Sequence, residues 1–268
     1  MSALTDTDLW LRRFHPAPEA ATRLVCLPHA GGAATYFFGV SKALSPEIDV
    51  LAAQYPGRQD RLREPGVPSV HDLADRLAAA VLPLADRPIA IFGHSLGASV
   101  GHELALRLEA EGVVPTGLFA SGRRAPHLNR GGRTHLEDDA GLVAAVRKLG
   151  GTESALFDDP DVLAMVLPSI RNDYVAAETY RYRPGPGLRC PIVALVGDAD
   201  PKVTVAEAGA WAEHTPEFEL ATYPGDHFYL NQHAHDVQRR LRAHAKAVVT
   251  GRWEPSHATD VSFRRLRG

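Results

Sequence analysis

The feature that most constrains the fold of this chain is the pentapeptide Gly93-His94-Ser95-Leu96-Gly97. It directly follows an apolar run at residues 89–92 and opens a helical pattern over residues 96–111. A strand, a tight turn and a helix in this order hold a serine in a strained conformation above the end of a sheet. The glycines are needed because larger side chains would collide with the strand and the helix. The pentapeptide therefore predicts Ser95 as an exposed nucleophile on such a turn.

Short aliphatic and β-branched runs alternate with helical patterns along the chain. The runs lie at residues 23–27, 50–55, 88–92, 117–120, 192–196 and 218–223. The main helical patterns lie at residues 70–84, 96–111, 205–213 and 234–248. This alternation predicts a mostly parallel central sheet flanked by helices on both faces. Together with the serine turn it predicts the α/β-hydrolase fold.

Residues 124–189 interrupt the alternation, because they contain helical stretches at 139–149 and 169–182 but no convincing strand. The interruption falls on the side where the carboxyl ends of the strands present ligands. It predicts a helical lid insertion over the site, with an extra packing layer as the alternative. We expect a single α/β-hydrolase domain over residues 1–250 and a mobile tail over residues 251–268, which lack periodicity.

Composition and charge exclude several classes of protein. The 268 residues carry a formal net charge of -3 without a long basic run, so nucleic acid binding is not expected. The chain contains no run of about 20 apolar residues, the length that a membrane-spanning helix needs. The N-terminus lacks the pattern of a secretory signal. The two cysteines, Cys26 and Cys190, lie in apolar runs typical of buried thiols. We expect a soluble, monomeric protein of the reducing cytoplasm.

A serine nucleophile needs a base within hydrogen-bond reach and a third group that orients the base. In the predicted fold the acid and then the histidine follow the serine along the chain. Asp200 follows the run at 192–196, and His227 follows the run at 218–223. Asp198 is a rival for the acid, with a turn-forming role as its alternative. We favour Asp200 because it stands three residues beyond the glycine that ends the strand.

Two backbone amides are the expected donors to an oxyanion. One is the N–H of Leu96, directly after the nucleophile, and the other is the N–H of Ala30. Ala30 belongs to the segment Pro28-His29-Ala30-Gly31-Gly32, which follows the first long strand. The segment alone is also compatible with a simple turn, but its place between a strand and a helix favours the oxyanion role.

Two groups of side chains contain potential metal ligands: His233, His235 and Asp236, and Asp158, Asp159 and Asp161. Residues two apart face different sides of a helix, so the first group does not converge on one ion. The second group lacks the glycine and glutamate of a calcium loop and is more typical of a helix start. The two glycines after Ala30 are not part of a dinucleotide-binding motif or of a phosphate-binding loop motif. We expect neither a metal nor a cofactor.

The chain resembles the free-standing type II thioesterases that accompany modular polyketide synthases and nonribosomal peptide synthetases. The resemblance spans about residues 12–248. Besides the serine pentapeptide and the segment at 28–32, it rests on Tyr55-Pro56-Gly57-Arg58, Ser121-Gly122-Arg123-Arg124-Ala125-Pro126, Leu149-Gly150-Gly151-Thr152, Arg171-Asn172-Asp173-Tyr174 and Gly225-Asp226-His227-Phe228. The chain departs from the family at Val40, where tryptophan is frequent, and at Asn172, where alanine is common. Neither departure affects the expected chemistry.

The resemblance implies a substrate carried as an acyl thioester on the phosphopantetheine arm of an acyl or peptidyl carrier domain. Hydrolysis would remove stalled or aberrant acyl units through an acyl-enzyme on Ser95. By the same resemblance, Arg58, Arg123 or Arg124 would meet the phosphate of the arm or an acidic carrier surface, although solvated surface arginines are the favoured alternative. A general carboxylesterase or lipase, and a non-catalytic protein that binds carrier domains or acyl ligands, are the other hypotheses.

Overall fold

The computed structural model describes residues 6–149 and 159–251. Within these ranges one sheet is built from the strands β1 Leu11–Arg12, β2 Arg23–Leu27, β3 Asp49–Ala53, β4 Ile89–His94, β5 Gly117–Ser121, β6 Ile192–Gly197 and β7 Phe218–Tyr223. The strands lie in the order β1-β3-β2-β4-β5-β6-β7. All neighbours are parallel except β1, which runs antiparallel to β3. The prediction of a mostly parallel sheet is confirmed.

Helices connect the strands and cover the sheet. Their bounds are α1 Asp6–Trp10, α2 Phe38–Leu44, α3 Val70–Val81, α4 Leu96–Ala110, α5 Asp139–Arg147, α6 Pro160–Thr179, α7 Val205–Gly209, α8 Tyr229–Gln232 and α9 Ala234–Val249. Along β2, Val25 and Leu27 pack into the core that includes α3 and α4. Leu24 and Cys26 pack into the opposite core, which includes residues of α2 and α9. Because both faces of β2 are buried, its residues 24–27 are continuously apolar rather than alternating.

The predicted insertion lies between β5 and β6 and contains α5 and α6. Helix α6 begins well before the predicted residue 169. The Asp159 carboxylate caps its start by accepting from the N–H groups of Asp161 and Val162, at 2.9 and 3.3 Å. The helix continues through Pro168, although proline lacks the N–H that a helix interior normally uses. The predicted start was therefore wrong, whereas the interpretation of the aspartates as a helix start is confirmed for Asp159 and Asp161; Asp158 lies outside the described residues.

Several boundaries differ from the predicted ones. Strand β1 was not predicted, because two residues are too few for a period of two to be recognised. Helix α3 gives way to a 3₁₀ turn at Leu82–Leu84, and α7 to another at Ala210–His214, so both α-helices are shorter than their patterns. The expected mobile tail lies outside the described residues except for Gly251. The assignment of residues 1–250 to one domain stays a prediction.

A buried histidine on α9 makes the stability of the fold depend on pH. The His244 ring packs edge-on against Phe119 with its centroid 5.1 Å away, and its Nε2 lies 3.1 Å from Thr116 Oγ1. Burial lowers the pKa of His244 from 6.5 to about 4, because the charged ring would lose its hydration. Below pH 6.5 this histidine binds a proton in the unfolded chain, whereas in the folded chain it binds the proton only below about pH 4. The free energy of unfolding therefore falls over this window as the pH decreases.

We expect His244→Gln to reduce the loss of unfolding free energy between pH 7 and pH 5 by roughly 2 kcal/mol relative to wild type. Urea unfolding at the two pH values measures the difference. His235→Gln is the matched control, since His235 is an exposed histidine on the same helix. An equal slope for wild type and His244→Gln would contradict the prediction.

Candidate active site

Ser95 lies on a sharp turn between β4 and α4. Its backbone has φ 53° and ψ -114°, a conformation that non-glycine residues rarely adopt. Its N–H donates to the carbonyl of Ser121 on the neighbouring strand β5 at 2.8 Å. A Cβ added at Gly93 would lie 2.1 Å from Gly97 O, and one added at Gly97 would lie 2.0 Å from Leu27 O. The strained turn is therefore possible only with glycine at both positions.

A histidine and an aspartate are paired beside this turn. His227 follows β7, and its Nδ1 lies 2.8 Å from Oδ2 of Asp200, which follows β6. Both side chains are buried, at 3% and 0% exposure. The other carboxylate oxygen of Asp200 accepts from the N–H groups of Lys202 and Val203, at 2.7 and 3.2 Å. The carboxylate is thus fixed and can hold the proton on Nδ1, which leaves Nε2 of His227 as the basic nitrogen.

The rival carboxylate has a different partner. Asp198 is exposed, and its Oδ1 accepts from the N–H of Gly225 at 3.0 Å. Its own N–H donates to Tyr223 O at 2.8 Å. Asp198 therefore holds the turn that precedes His227, whereas Asp200 contacts the imidazole itself.

A cavity of about 130 Å³ opens between the serine turn and the histidine. Ser95, His227, Ala30 and Leu96 all border it. Within residues 6–149 and 159–251, the backbone N–H groups of Ala30 and Leu96 have no protein acceptor. Leu96 is the first residue of α4, so its N–H also lies at the positive end of the helix dipole. Two amides are thus available to a negatively charged oxygen beside the serine.

The helical insertion supplies much of the remaining cavity wall. Its contribution includes Val146, Leu149, Tyr174, Ala177 and Glu178, which come from α5, the residues after it, and α6. The wall is therefore partly apolar, as a chamber for a hydrocarbon chain requires.

The three arginines of the sequence analysis occupy different environments. Arg123 borders the cavity and donates to Asn129 Oδ1 and Ala177 O, at 3.3 and 3.2 Å. Burial, with a smaller effect of neighbouring Arg124, lowers the pKa of Arg123 to about 10. Arg124 also borders the cavity and lies 3.5 Å from Glu207. Arg58 is 5% exposed and is paired with a buried carboxylate, which favours a structural role over contact with another protein.

His94, the residue before the nucleophile, had no predicted role. Its ring is fully buried with its centroid 5.0 Å from that of His227. Its Nδ1 lies 2.9 Å from Ser121 Oγ, which in turn lies 2.7 Å from the hydroxyl of Tyr229. Burial, followed by the nearby His227, holds the pKa of His94 well below its usual range, so the ring is neutral and adds no positive charge behind the base. Its place inside the pentapeptide was the available signal.

The other candidate ligand groups serve local structure. His233 Nε2 lies 2.9 Å from Pro224 O, and Asp236 forms an ion pair with Arg239 at 2.5 Å. In the part of the chain that the structure describes, no three histidine, cysteine or acidic side chains are arranged to hold a metal ion. Among the described residues, none of the helices combines the length and the hydropathy that a membrane span requires.

A parallel sheet with a strained serine after its central strand is the architecture of the α/β-hydrolases, and the chain is a serine hydrolase of this class. Comparison with known families gives the particular member. The thioesterase domain family matches residues 22–245, and the chain belongs to this family. It is therefore an acyl thioester hydrolase.

Individual relatives agree with this assignment. Thioesterase PikA5 of Streptomyces venezuelae is 50% identical over 242 residues, which cover 89% of this chain and 86% of the relative. The structure of the type II thioesterase BorB from the borrelidin biosynthetic cluster is 48% identical with a TM-score of 0.85, over 91% of this chain and 100% of that one. The RedJ thioesterase from the prodiginine pathway of Streptomyces coelicolor is 36% identical with a TM-score of 0.81, over 86% and 93%. The predicted α/β-hydrolase fold and the resemblance to type II thioesterases are confirmed.

Proposed function

We propose that this thioesterase removes acyl groups from the phosphopantetheine arms of carrier domains in a polyketide synthase or nonribosomal peptide synthetase. Hydrolysis frees thiols that stalled or aberrant acyl units have blocked. The similarity to the type II thioesterase BorB from the borrelidin biosynthetic cluster supports this substrate class. The observation that carries the proposal is the cavity that is bordered by Ser95 and His227 and by the Ala30 and Leu96 amides, whose N–H groups have no acceptor among the described residues.

The first half of the reaction acylates the serine. Nε2 of His227 takes the proton of the Ser95 hydroxyl while Oγ attacks the thioester carbonyl carbon. Asp200 stays ionised and, through its 2.8 Å hydrogen bond to Nδ1, orients the imidazole and stabilises its charged form. The carbonyl oxygen becomes an oxyanion that accepts from the N–H groups of Ala30 and Leu96. Each such donor contributes about 3 kcal/mol of transition-state stabilisation in comparable hydrolases.

The second half releases the acid. The C–S bond breaks and the leaving sulfur takes the proton from Nε2 of His227, which returns the imidazole to its neutral form. The phosphopantetheine thiol leaves readily because its pKa, about 8.5 for an ordinary thiol, is far below that of an alcohol. His227 then takes a proton from water, which attacks the acyl-enzyme at the same carbonyl carbon. The proton returns to Ser95 as the acid departs, and the same two amides stabilise both tetrahedral intermediates.

The remaining assignments belong to the same proposal. The insertion at residues 124–189 acts as a lid whose inner wall receives the acyl chain. Arg123 and Arg124, which border the cavity, are the arginines best situated to meet the phosphate of the arm or an acidic carrier surface. The enzyme acts as a monomer in the cytoplasm. The free, buried thiols of Cys26 and Cys190 are compatible with that reducing compartment.

A hydrolysis panel tests the function. We expect kcat/KM for acylated carrier proteins to exceed that for p-nitrophenyl esters of the same acyl group by at least about tenfold, which corresponds to about 1.4 kcal/mol of carrier contacts. Acyl chains of different length and α-branching define the preferred unit, and Ser95→Ala is the blank. Preference for aryl esters would indicate a general carboxylesterase. Failure of both hydrolysis and labelling by a fluorophosphonate would indicate a non-catalytic binding protein.

A further inference from the structure

A buried ion pair connects helix α6 to the loop that carries Ala30. Asp173 of α6 accepts from Arg58 through both carboxylate oxygens, from Nη1 to Oδ2 at 2.7 Å and from Nη2 to Oδ1 at 2.8 Å. Oδ2 of Asp173 also accepts from the N–H of Gly31 at 2.8 Å. Arg58 Nη1 donates in addition to Gly32 O at 2.8 Å. The pair therefore binds the loop at one backbone donor and one backbone acceptor.

These contacts fix a tight turn with Ala30 at its first corner. The N–H of Gly32 donates to His29 O at 2.9 Å, which closes a four-residue turn. Gly31 has φ 80°, the conformation that glycine adopts at position i+2 of a type II turn, so Ala30 occupies position i+1. The His29 carbonyl and the Ala30 N–H belong to one planar trans peptide, so they point in opposite directions. Once the carbonyl is directed at Gly32, the Ala30 N–H faces away from the turn interior.

The burial of the pair makes this attachment stiff. The side chains of Arg58 and Asp173 are 6% and 1% exposed, so water does not compete for their hydrogen bonds. Two parallel bonds between a guanidinium and a carboxylate also set the angle between the groups, not only their distance. Asn172 supports the carboxylate, since its Nδ2 lies 3.3 Å from Asp173 Oδ1. The position of the turn at residues 29–32 therefore depends on the position and orientation of α6.

We propose that Arg58 and Asp173 are positioning residues for catalysis, which hold the turn at 29–32 so that the Ala30 N–H is directed at the oxyanion. The inference rests on the proposed function, in which Ala30 is an oxyanion donor. It also makes α6, a wall of the acyl cavity, part of the machinery that aligns that donor.

The kinetic test uses Asp173→Asn and the milder Arg58→Lys. An amide offers one acceptor and one donor, so it cannot accept from both guanidinium nitrogens and the Gly31 N–H. A lysine keeps the charge but lacks the planar fork that reaches Asp173 and Gly32 O together. With an acyl N-acetylcysteamine thioester as substrate, we expect each variant to lower kcat about 10- to 100-fold. This decrease does not exceed the decrease in kcat that follows complete removal of one oxyanion donor. KM should stay within about twofold, since the donor acts in the transition state.

A second buried ion pair provides the matched control. Asp49 is 3% exposed and lies 3.4 Å from Arg23 and 3.3 Å from Arg13. None of these three residues borders the cavity. We expect both Asp49→Asn and Asp173→Asn to lower the melting temperature, but Asp49→Asn should leave kcat within about twofold of wild type. Arg58→Lys remains measurable if Asp173→Asn fails to fold.

An inhibitor that forms an oxyanion separates alignment from general damage. An alkyl trifluoromethyl ketone adds to Ser95 and places its oxygen where the oxyanion develops. Its affinity should fall in Asp173→Asn by the same factor as kcat/KM, while the affinity for the carboxylic acid product changes little. Retention of kcat in both variants, or a rise of KM in place of a fall of kcat, would overturn the inference alone. A wild-type enzyme without thioester hydrolysis and without ketone binding would overturn the proposed function together with it.

Discussion

Ser95→Ala should lower kcat for acyl-carrier hydrolysis by about a millionfold, as loss of the nucleophile does in other serine hydrolases. The remaining groups, His227 and the two amides, have no covalent intermediate to stabilise once Oγ is gone. Single-turnover measurements with an acylated carrier protein, together with mass detection of the acyl-enzyme, give the result. A variant that still hydrolyses the thioester at a comparable rate would show that Ser95 is not the nucleophile.

The fold of this variant can be checked through the strain at the same position. Alanine at residue 95 retains the positive φ of 53° that the turn imposes, so its melting temperature should stay close to that of wild type. Ser95→Gly removes the steric cost of that conformation, and we expect it to raise the free energy of unfolding by about 1 kcal/mol. Thermal unfolding of the two variants measures the difference. Equal stability of the two would indicate that the turn stores no strain.

Asp200→Asn should lower kcat by about ten thousandfold with little change in the structure. The asparagine amide can donate to Nδ1 of His227, which would place the imidazole proton on Nε2 and remove the base that Ser95 needs. The neutral amide also fails to stabilise the imidazolium. Steady-state rates of wild type and variant on one acylated carrier protein, with circular dichroism as a check of the fold, give the comparison.

Asp198→Asn is the matched control, because it makes the same chemical change two residues away. Asparagine can still accept from the Gly225 N–H through its carbonyl oxygen, so the turn before His227 is kept. We expect kcat within about threefold of wild type, as for a surface substitution that breaks no buried contact. The reverse pattern, an inactive Asp198→Asn and an active Asp200→Asn, would transfer the role of the acid to Asp198.

The parts of the fold that sequence analysis predicted depend on local patterns. The pentapeptide around Ser95 specifies its turn because the two glycines are the residues that fit against Leu27 and against each other. The continuous apolar runs identify strands such as β2 because a parallel sheet buries both faces. The order of serine, acid and histidine follows from the connectivity of the fold, which places the carboxyl ends of its parallel strands at one edge.

The parts that were not predicted depend on partners distant in the chain. Strand β1 exists because Leu11 and Arg12 pair with residues of β3, and two residues carry no period of their own. The start of α6 is the exception, because its cap at Asp159 is local; the predicted start was wrong because the helix continues through Pro168, a residue that normally indicates a helix end. Arg58 was expected to be a surface or carrier contact, but its partner is 115 residues away. No local pattern indicates that an arginine will be buried against a carboxylate at that separation.

The sequence by itself determined the class of fold, the strained serine and the order in which its partners follow, because each is encoded by spacing along the chain. Only the tertiary structure decided that Asp200 rather than Asp198 contacts His227, that the Ala30 and Leu96 amides border one cavity, and that Asp173 holds the turn beside them. The physical reason is that hydrogen bonds between side chains depend on angles and on distances below about 3.5 Å. Those distances are set by how helices and loops pack on the sheet.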